Sequence, residues 1–259
     1  MRRRAFLATG LAAVTAGCVS GGDDELGVST LGAIPDASTT EAGLAPDRVD
    51  ESPDDVDLDS MERFTQHDVE IPLVPIEVAY DWYRTGSARF VDARSEAAFE
   101  AERVTGAVVS PARDGLEEND LTETWDPTER SVTYCGCPHS LSTSRAAGMV
   151  MEGHEAVFAI DEGFNPWIEQ YPTSTGDADS QRSAPMTVVG QVDAAYAGEE
   201  VWVRHDATDQ RYPGQVGADG SFEVTFAFYD VETDDQLTVD TPEWTRTGTV
   251  AEQTDSTPR

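Results

Sequence analysis

Two cysteines stand one residue apart in the run Val132-Thr133-Tyr134-Cys135-Gly136-Cys137-Pro138-His139-Ser140-Leu141-Ser142-Thr143-Ser144-Arg145-Ala146-Ala147. The apolar start reads as a short buried strand, and the end as the opening of a helix. A loop between the two aims backbone N–H groups and the positive end of a helix dipole into its own bowl. A thiol held there is drawn towards the thiolate, the reactive form. Such a cysteine can carry a sulfur atom or exchange disulfides. Around it, His139, Ser140 and Ser142 offer hydrogen bonds to a bound oxyanion, and Arg145 is the only Arg or Lys of the stretch. Pro138 removes one N–H from the bowl and stiffens it. As a metal site the run is poor, because two thiols and one histidine fall short of four zinc ligands. No metal and no cofactor is expected.

The elements that must position this loop follow from the flanking patterns. Ile76, Ala79, Tyr80 and Tyr83 have helical spacing, closed by Gly86. Arg89 to Ala93 reads as a strand, Ser95 caps a short helix with Ala98 and Phe99 facing inward, and Gly106 to Val109 reads as a second strand. A helical turn or two is expected over Leu116 to Leu121. Val132 to Tyr134 delivers the cysteines, and the following helix stops at Gly153. Val157 to Ile160 is a further buried strand, and Gly163 onward turns into a final short helix. Strands alternating with helices over short links imply an α/β fold, a parallel sheet with helices on both faces. Reactive loops of such sheets lie at the carboxyl ends of strands, where Cys135 falls. From about Pro185 the period becomes two, over residues 187–192, 200–205, 221–226 and 236–239, with glycine turns between. That pattern predicts a small antiparallel β-sandwich-like module over 185–250, joined by a polar linker over 173–184 and followed by a frayed tail over 251–259. No catalytic constellation stands out in it. His205 is single, and Asp206 and Asp209 read as solvated turn residues.

In order and spacing, Phe90-Val91-Asp92-Ala93-Arg94, Phe99, Thr105-Gly106-Ala107, Tyr134-Cys135 with its loop, and Gly163-Phe164-Asn165-Pro166-Trp167 resemble the rhodanese domain over about residues 68–172. The resemblance implies an α/β sulfurtransferase. Its cysteine would take sulfane sulfur from a donor such as thiosulfate and pass the persulfide to cyanide or a thiol. Three features depart from the family pattern. Arg103 stands where a histidine is usual, Glu162 replaces a glycine before Gly163, and the loop is about two residues longer than usual. Counted from the strand, Cys135 takes the nucleophile position. Counted back from Ala146-Ala147, Cys137 takes it, with Ser142 where the family often has arginine, and the loop length then matches better. Two other readings stand beside sulfur transfer. One is a thiol redox protein using Cys135 and Cys137 as a strained, easily reduced pair. The other is a rhodanese-fold module that only binds.

The charge bounds the setting. Against 50 acidic residues stand 17 basic ones, giving a net charge of −33, and every basic residue is arginine. Such a chain repels itself in dilute buffer and is relieved by concentrated salt, where the Debye length falls to about 3 Å at 1 M. The composition predicts adaptation to high salt, of the haloarchaeal type, and disfavours nucleic acid as a partner. Residues 1–17 have the basic start, short apolar centre and small-residue end of an export signal, and Arg3-Arg4-Ala5-Phe6-Leu7 resembles the twin-arginine type. Thr15-Ala16-Gly17-Cys18 resembles a lipobox with Thr15 in place of Leu or Val, which would leave Cys18 lipidated. Residues 18–65 lack a sustained apolar period and read as a disordered acidic tether. The expected partners are therefore a small sulfur donor, a thiol or cyanide acceptor, and the outer face of a membrane through Cys18.

Overall fold

The computed structural model describes residues 26–112, 114–136, 139–176 and 182–254. The expected export signal, Cys18, Cys137 and residues 255–259 lie outside them.

The α/β domain contains β1 (Leu26–Gly27), β2 (Arg63–Gln66), β3 (Val69–Val74), α1 (Ile76–Thr85), β4 (Arg89–Asp92), α2 (Glu96–Ala101), β5 (Arg103–Val104), β6 (Val108–Val109), β7 (Ser131–Tyr134), α3 (Leu141–Met151), β8 (Val157–Ile160), α4 (Phe164–Gln170) and β9 (Thr173–Ser174). Among the described residues a seven-stranded sheet runs β1-β3-β8-β7-β4-β6, with β2 pairing antiparallel to β3. The strands from β3 to β6 along this order are parallel. Strand alternation divides the core between two faces. Phe90, Val132, Tyr134, Phe158 and Ile160 pack with Trp82 of α1 and Trp167 of α4. Val91, Val157 and Ala159 pack with Ala146, Ala147 and Met149 of α3. Local signals place the helices. Gly86 ends α1 at φ 68°, and the Ser95 hydroxyl accepts from the Ala98 N–H at 3.3 Å to start α2. Gly106 sits at φ 87°, where a Cβ would meet the Leu44 carbonyl oxygen at 2.2 Å, so the motif glycine admits another piece of chain.

That piece belongs to the segment expected to be a disordered tether, and from Leu26 onward it is packed structure instead. Val28, Leu44 and Ala45 are buried. Arginines of the domain hold the segment's carbonyls. Arg89 donates to the oxygens of Thr40 (3.0 Å) and Ala42 (2.7 Å), Arg130 to Leu31 (2.6 Å) and Arg63 to Val28 (3.0 Å). Periodicity misses such a segment because its few apolar side chains are anchored singly. Around residues 116–121 the helical turn falls later than expected, as a 3-10 turn over Leu121–Thr124.

The second module is built from β10 (Met186–Gln191), β11 (Glu200–His205), β12 (Gln210–Gln215), β13 (Ser221–Phe226), β14 (Gln236–Asp240), β15 (Thr245–Thr249) and α5 (Val250–Thr254). A two-stranded sheet, β10-β13, faces a four-stranded sheet, β12-β11-β14-β15, across a core including Val188, Val201, Val203, Phe222, Phe226, Phe228, Leu237 and Val239. The antiparallel sandwich matches expectation. Two strands were not legible. Pro213 and Gly214 break the apolar alternation of β12, and Arg246 with threonines fills β15. The expected frayed tail is helical to Thr254, with Val250 buried against the core. The expected linker also carries structure: β9 pairs antiparallel with β5, and Arg182 bridges Tyr229.

Candidate active site

β7 is flanked by β8 on one side and β4 on the other, so its carboxyl end opens at the middle of the parallel sheet. Cys135 follows its last residue and is wholly buried. Its Sγ donates to Ser142 Oγ at 3.4 Å, its carbonyl accepts from the Phe164 N–H at 2.8 Å, and it packs with Ala93, Ala112 and Leu141. Ser142 is fully buried, and the Thr133 hydroxyl donates to its carbonyl at 2.9 Å. These bonds tie the first turn of α3 to the end of β7. Small residues let α3 lie this close. Ser142, Thr143, Ser144, Ala146, Ala147 and Gly148 occupy its buried length.

At the helix end of the loop, His139 takes φ 56°, a left-handed conformation. Its Nε2 lies 2.6 Å from Asp161 Oδ1, and the ring packs against Phe64 with centroids 5.5 Å apart. Both partners are about one-third exposed, so the pair meets solvent. The Ser140 carbonyl accepts from the Ser144 N–H and the Thr143 hydroxyl, while its own Oγ is buried with no hydrogen-bond partner among the described residues. His139 and Ser140 thus line one wall of a cleft of about 170 Å³. The opposite wall belongs to the β module, through Glu200, Pro213 and Gln215.

The structure does not bring Arg145 to this cleft. Its guanidinium is buried and donates to Ser110 Oγ (2.7 Å), Thr122 Oγ1 (3.1 Å) and the Glu152 carboxylate (3.0 and 3.1 Å). Asp120 belongs to the same polar cluster, accepting from Ser110 Oγ, the Thr122 hydroxyl and N–H, and the Leu116 N–H. Burial alone would raise the Asp120 pKa, but these donors outweigh it and hold the carboxyl below its ordinary value. The motif residues Asp92 and Arg94 form a buried pair at 2.7 Å, with the guanidinium 4.4 Å from the Phe164 ring centre. Burial opposes the Arg94 charge, yet Asp92 prevails and the pKa is raised. Arg94 therefore braces the loop's footing against α4.

Three neighbours of the loop, Asp161, Arg182 and Tyr212, have no signal in the sequence. Asp161 orients His139 but sits 22 residues away, at the end of β8. A Cβ placed on Gly136 would lie 3.5 Å from Arg182 Nη2 and 3.6 Å from Tyr212 Oη. Both groups come from outside the α/β domain, and no pattern in a polar linker or a sandwich strand announces that role. Among the described residues, no group of His, Cys, Asp and Glu side chains is disposed to hold a metal ion.

The chain was compared with known proteins. A family model described as "Rhodanese-like domain" matches residues 76–170. Two proteins described as "Thiosulfate sulfurtransferase GlpE", from two strains of Pseudomonas putida, are 30% identical over 112 residues, which cover 43% of this chain and 98% of each relative. Among solved structures, the BH2092 protein from Bacillus halodurans is 21% identical with a TM-score of 0.36, covering 40% of this chain and 76% of that one. The Alr3790 protein from Anabaena sp. is 15% identical with a TM-score of 0.36, covering 40% of this chain and 81% of that one.

Proposed function

The chain belongs to the rhodanese-like family, and on that premise we propose that it is a sulfurtransferase whose nucleophile is Cys137. The observation carrying this reading is the burial of Cys135. A sulfur that is 0% exposed and bonded to Ser142 beneath α3 serves the footing of the loop, which leaves Cys137 to meet substrate. The Cys137 thiolate attacks the outer sulfur of thiosulfate, the S–S bond of the donor breaks, and sulfite leaves with the bonding pair. The resulting persulfide anion is stabilised by loop N–H groups and the amino-terminal end of α3. Cyanide or a thiolate then attacks the terminal sulfur, the persulfide S–S bond breaks, and the electron pair returns to Cys137. In this reading His139, held by Asp161, and Ser140, whose hydroxyl has no partner among the described residues, hydrogen-bond the donor's oxygens. The test is cyanolysis in concentrated salt. Cys137→Ser is expected to lose more than about 100-fold in turnover, as for removal of a nucleophile. Cys135→Ser is expected to keep activity per folded molecule. Loss confined to Cys135→Ser would reverse the assignment, and a reversible mass loss of two hydrogens without sulfur uptake would favour the thiol redox reading.

We further propose that the chain is exported by the twin-arginine route, lipidated on Cys18 and held at the outer membrane face in a high-salt environment. Support comes from residues 1–18 and the charge of −33. Among the described residues no helix is long and apolar enough to cross a membrane. Mass spectrometry of the amino terminus purified from membranes tests this: a diacylglyceryl-modified Cys18 is expected, and an intact Met1 start in the soluble fraction would overturn it.

A further inference from the structure

We propose that the β module completes the active site, with Arg182 as the cation that recognises an anionic sulfur donor. The loop itself lacks such a group, since Arg145 is buried in its bonds to Ser110, Thr122 and Glu152. Arg182 reaches the loop from the linker segment bridged to the β module, with Nη2 3.5 Å and Tyr212 Oη 3.6 Å from the Cβ position of Gly136. Both ends of this arm are fixed. The Arg182 backbone bridges Tyr229, and the next N–H, of Ser183, donates to the Phe228 carbonyl at 2.8 Å. At the tip, Arg182 Nη1 donates to Asn165 Oδ1 at 3.2 Å. Asn165 lies in the first turn of α4, so the Gly163-Phe164-Asn165-Pro166-Trp167 motif orients a residue bridged to the β module. Gly136 has no side chain to fill the gap, which leaves the guanidinium facing the loop.

The modules are tied at further points. Gln66 Nε2 donates to Glu200 Oε1 at 2.7 Å, His67 Nε2 lies 3.2 Å from the same oxygen, and Arg94 donates to Tyr229 Oη at 3.5 Å. In a chain of net charge −33 an anionic donor meets a repulsive field everywhere else. A guanidinium matches a sulfonate-like group with two parallel N–H bonds, while the Tyr212 O–H donates to the Ala227 carbonyl at 3.4 Å and the ring flanks the arm. The ligand class is therefore a sulfane sulfur bonded to an oxyanion, thiosulfate being the simplest.

This inference rests on the sulfurtransferase reading, but its test separates the two. Thiosulfate binding is measured by calorimetry on the Cys135→Ser/Cys137→Ser chain, which cannot react. Arg182→Gln in that background is expected to weaken binding at least tenfold, and Arg182→Lys to recover part of it. In the reactive chain, Arg182→Gln is expected to raise KM for thiosulfate at least tenfold with kcat nearly unchanged. Its KM for a donor without an oxyanion, an organic trisulfide, should not move. Arg182 is exposed, so the variant keeps its fold, checked by circular dichroism. Equal thiosulfate binding with and without Arg182 would overturn the inference even if the enzyme transfers sulfur. An equal loss with both donors would assign Arg182 a merely structural part. Binding that depends on Arg182 in a chain that forms no persulfide would keep the anion site and sink the transferase.

Discussion

At the scale of single residues, the site divides into groups that face substrate and groups that hold the frame. His139 faces the cleft, and Asp161 holds its ring. His139→Ala is expected to lower kcat/KM for thiosulfate about tenfold, the loss of one charge-assisted hydrogen bond, and Asp161→Asn to lower it less, because the ring stays present but loses its orientation. Steady-state kinetics checks both, and wild-type values in His139→Ala would remove it from the site. Arg145 is the opposite case. As a frame residue, Arg145→Met is expected to cost about 3 kcal/mol of stability with activity per folded molecule retained. A thermal melt beside a kinetic assay on the same sample decides it. The sequence exposes the thiols, His139 and Ser140 because loop chemistry is local. It does not expose Asp161, Arg182 or Tyr212, because proximity across a sheet or between modules leaves no spacing in the chain. Arg145 misleads for a related reason: in a helix buried nearly all round, the side chain's direction is set by Ser110 and Thr122, which are distant in sequence.

At the scale of elements, the parallel strands, the caps at Ser95 and Gly86 and the break at Gly153 are legible because period and turn residues report them directly. The segment from Leu26 to Met61 is not, since irregular chain held by arginine-to-carbonyl bonds has no period. Removing residues 26–50 takes away the carbonyl partners of Arg89, a wholly buried cation, and should unfold the domain. Unchanged melting of the truncated chain would contradict this. The polar cluster under α3 makes a pH prediction. The Asp120 pKa is lower folded than unfolded, so its contribution is present in full above the unfolded value of about 4. It is lost as pH falls through the folded value. Asp120→Asn should therefore cost about 2 kcal/mol near neutrality and flatten the acid limb of a melting profile. An acid limb identical to wild type would show that other carboxylates govern it.

At the scale of the whole molecule, two modules share one cleft, and the α/β domain alone presents only one of its walls. Their association, through Gln66, His67 and Arg94 on one side and Glu200 and Tyr229 on the other, was not legible because each module has a self-sufficient apolar pattern. Charge acts at this scale too. With a net charge of −33 the melting temperature should rise steeply with potassium chloride, and dialysis into dilute buffer should unfold the chain. A melting temperature indifferent to salt would rule out that account. The central claim, sulfur carried on the loop, is tested most directly by intact and peptide mass spectrometry of wild-type protein exposed to thiosulfate in concentrated salt. The account predicts the gain of one sulfur atom on Cys137, removed by cyanide. An unmodified loop, or a sulfur carried on Cys135 instead, would contradict it.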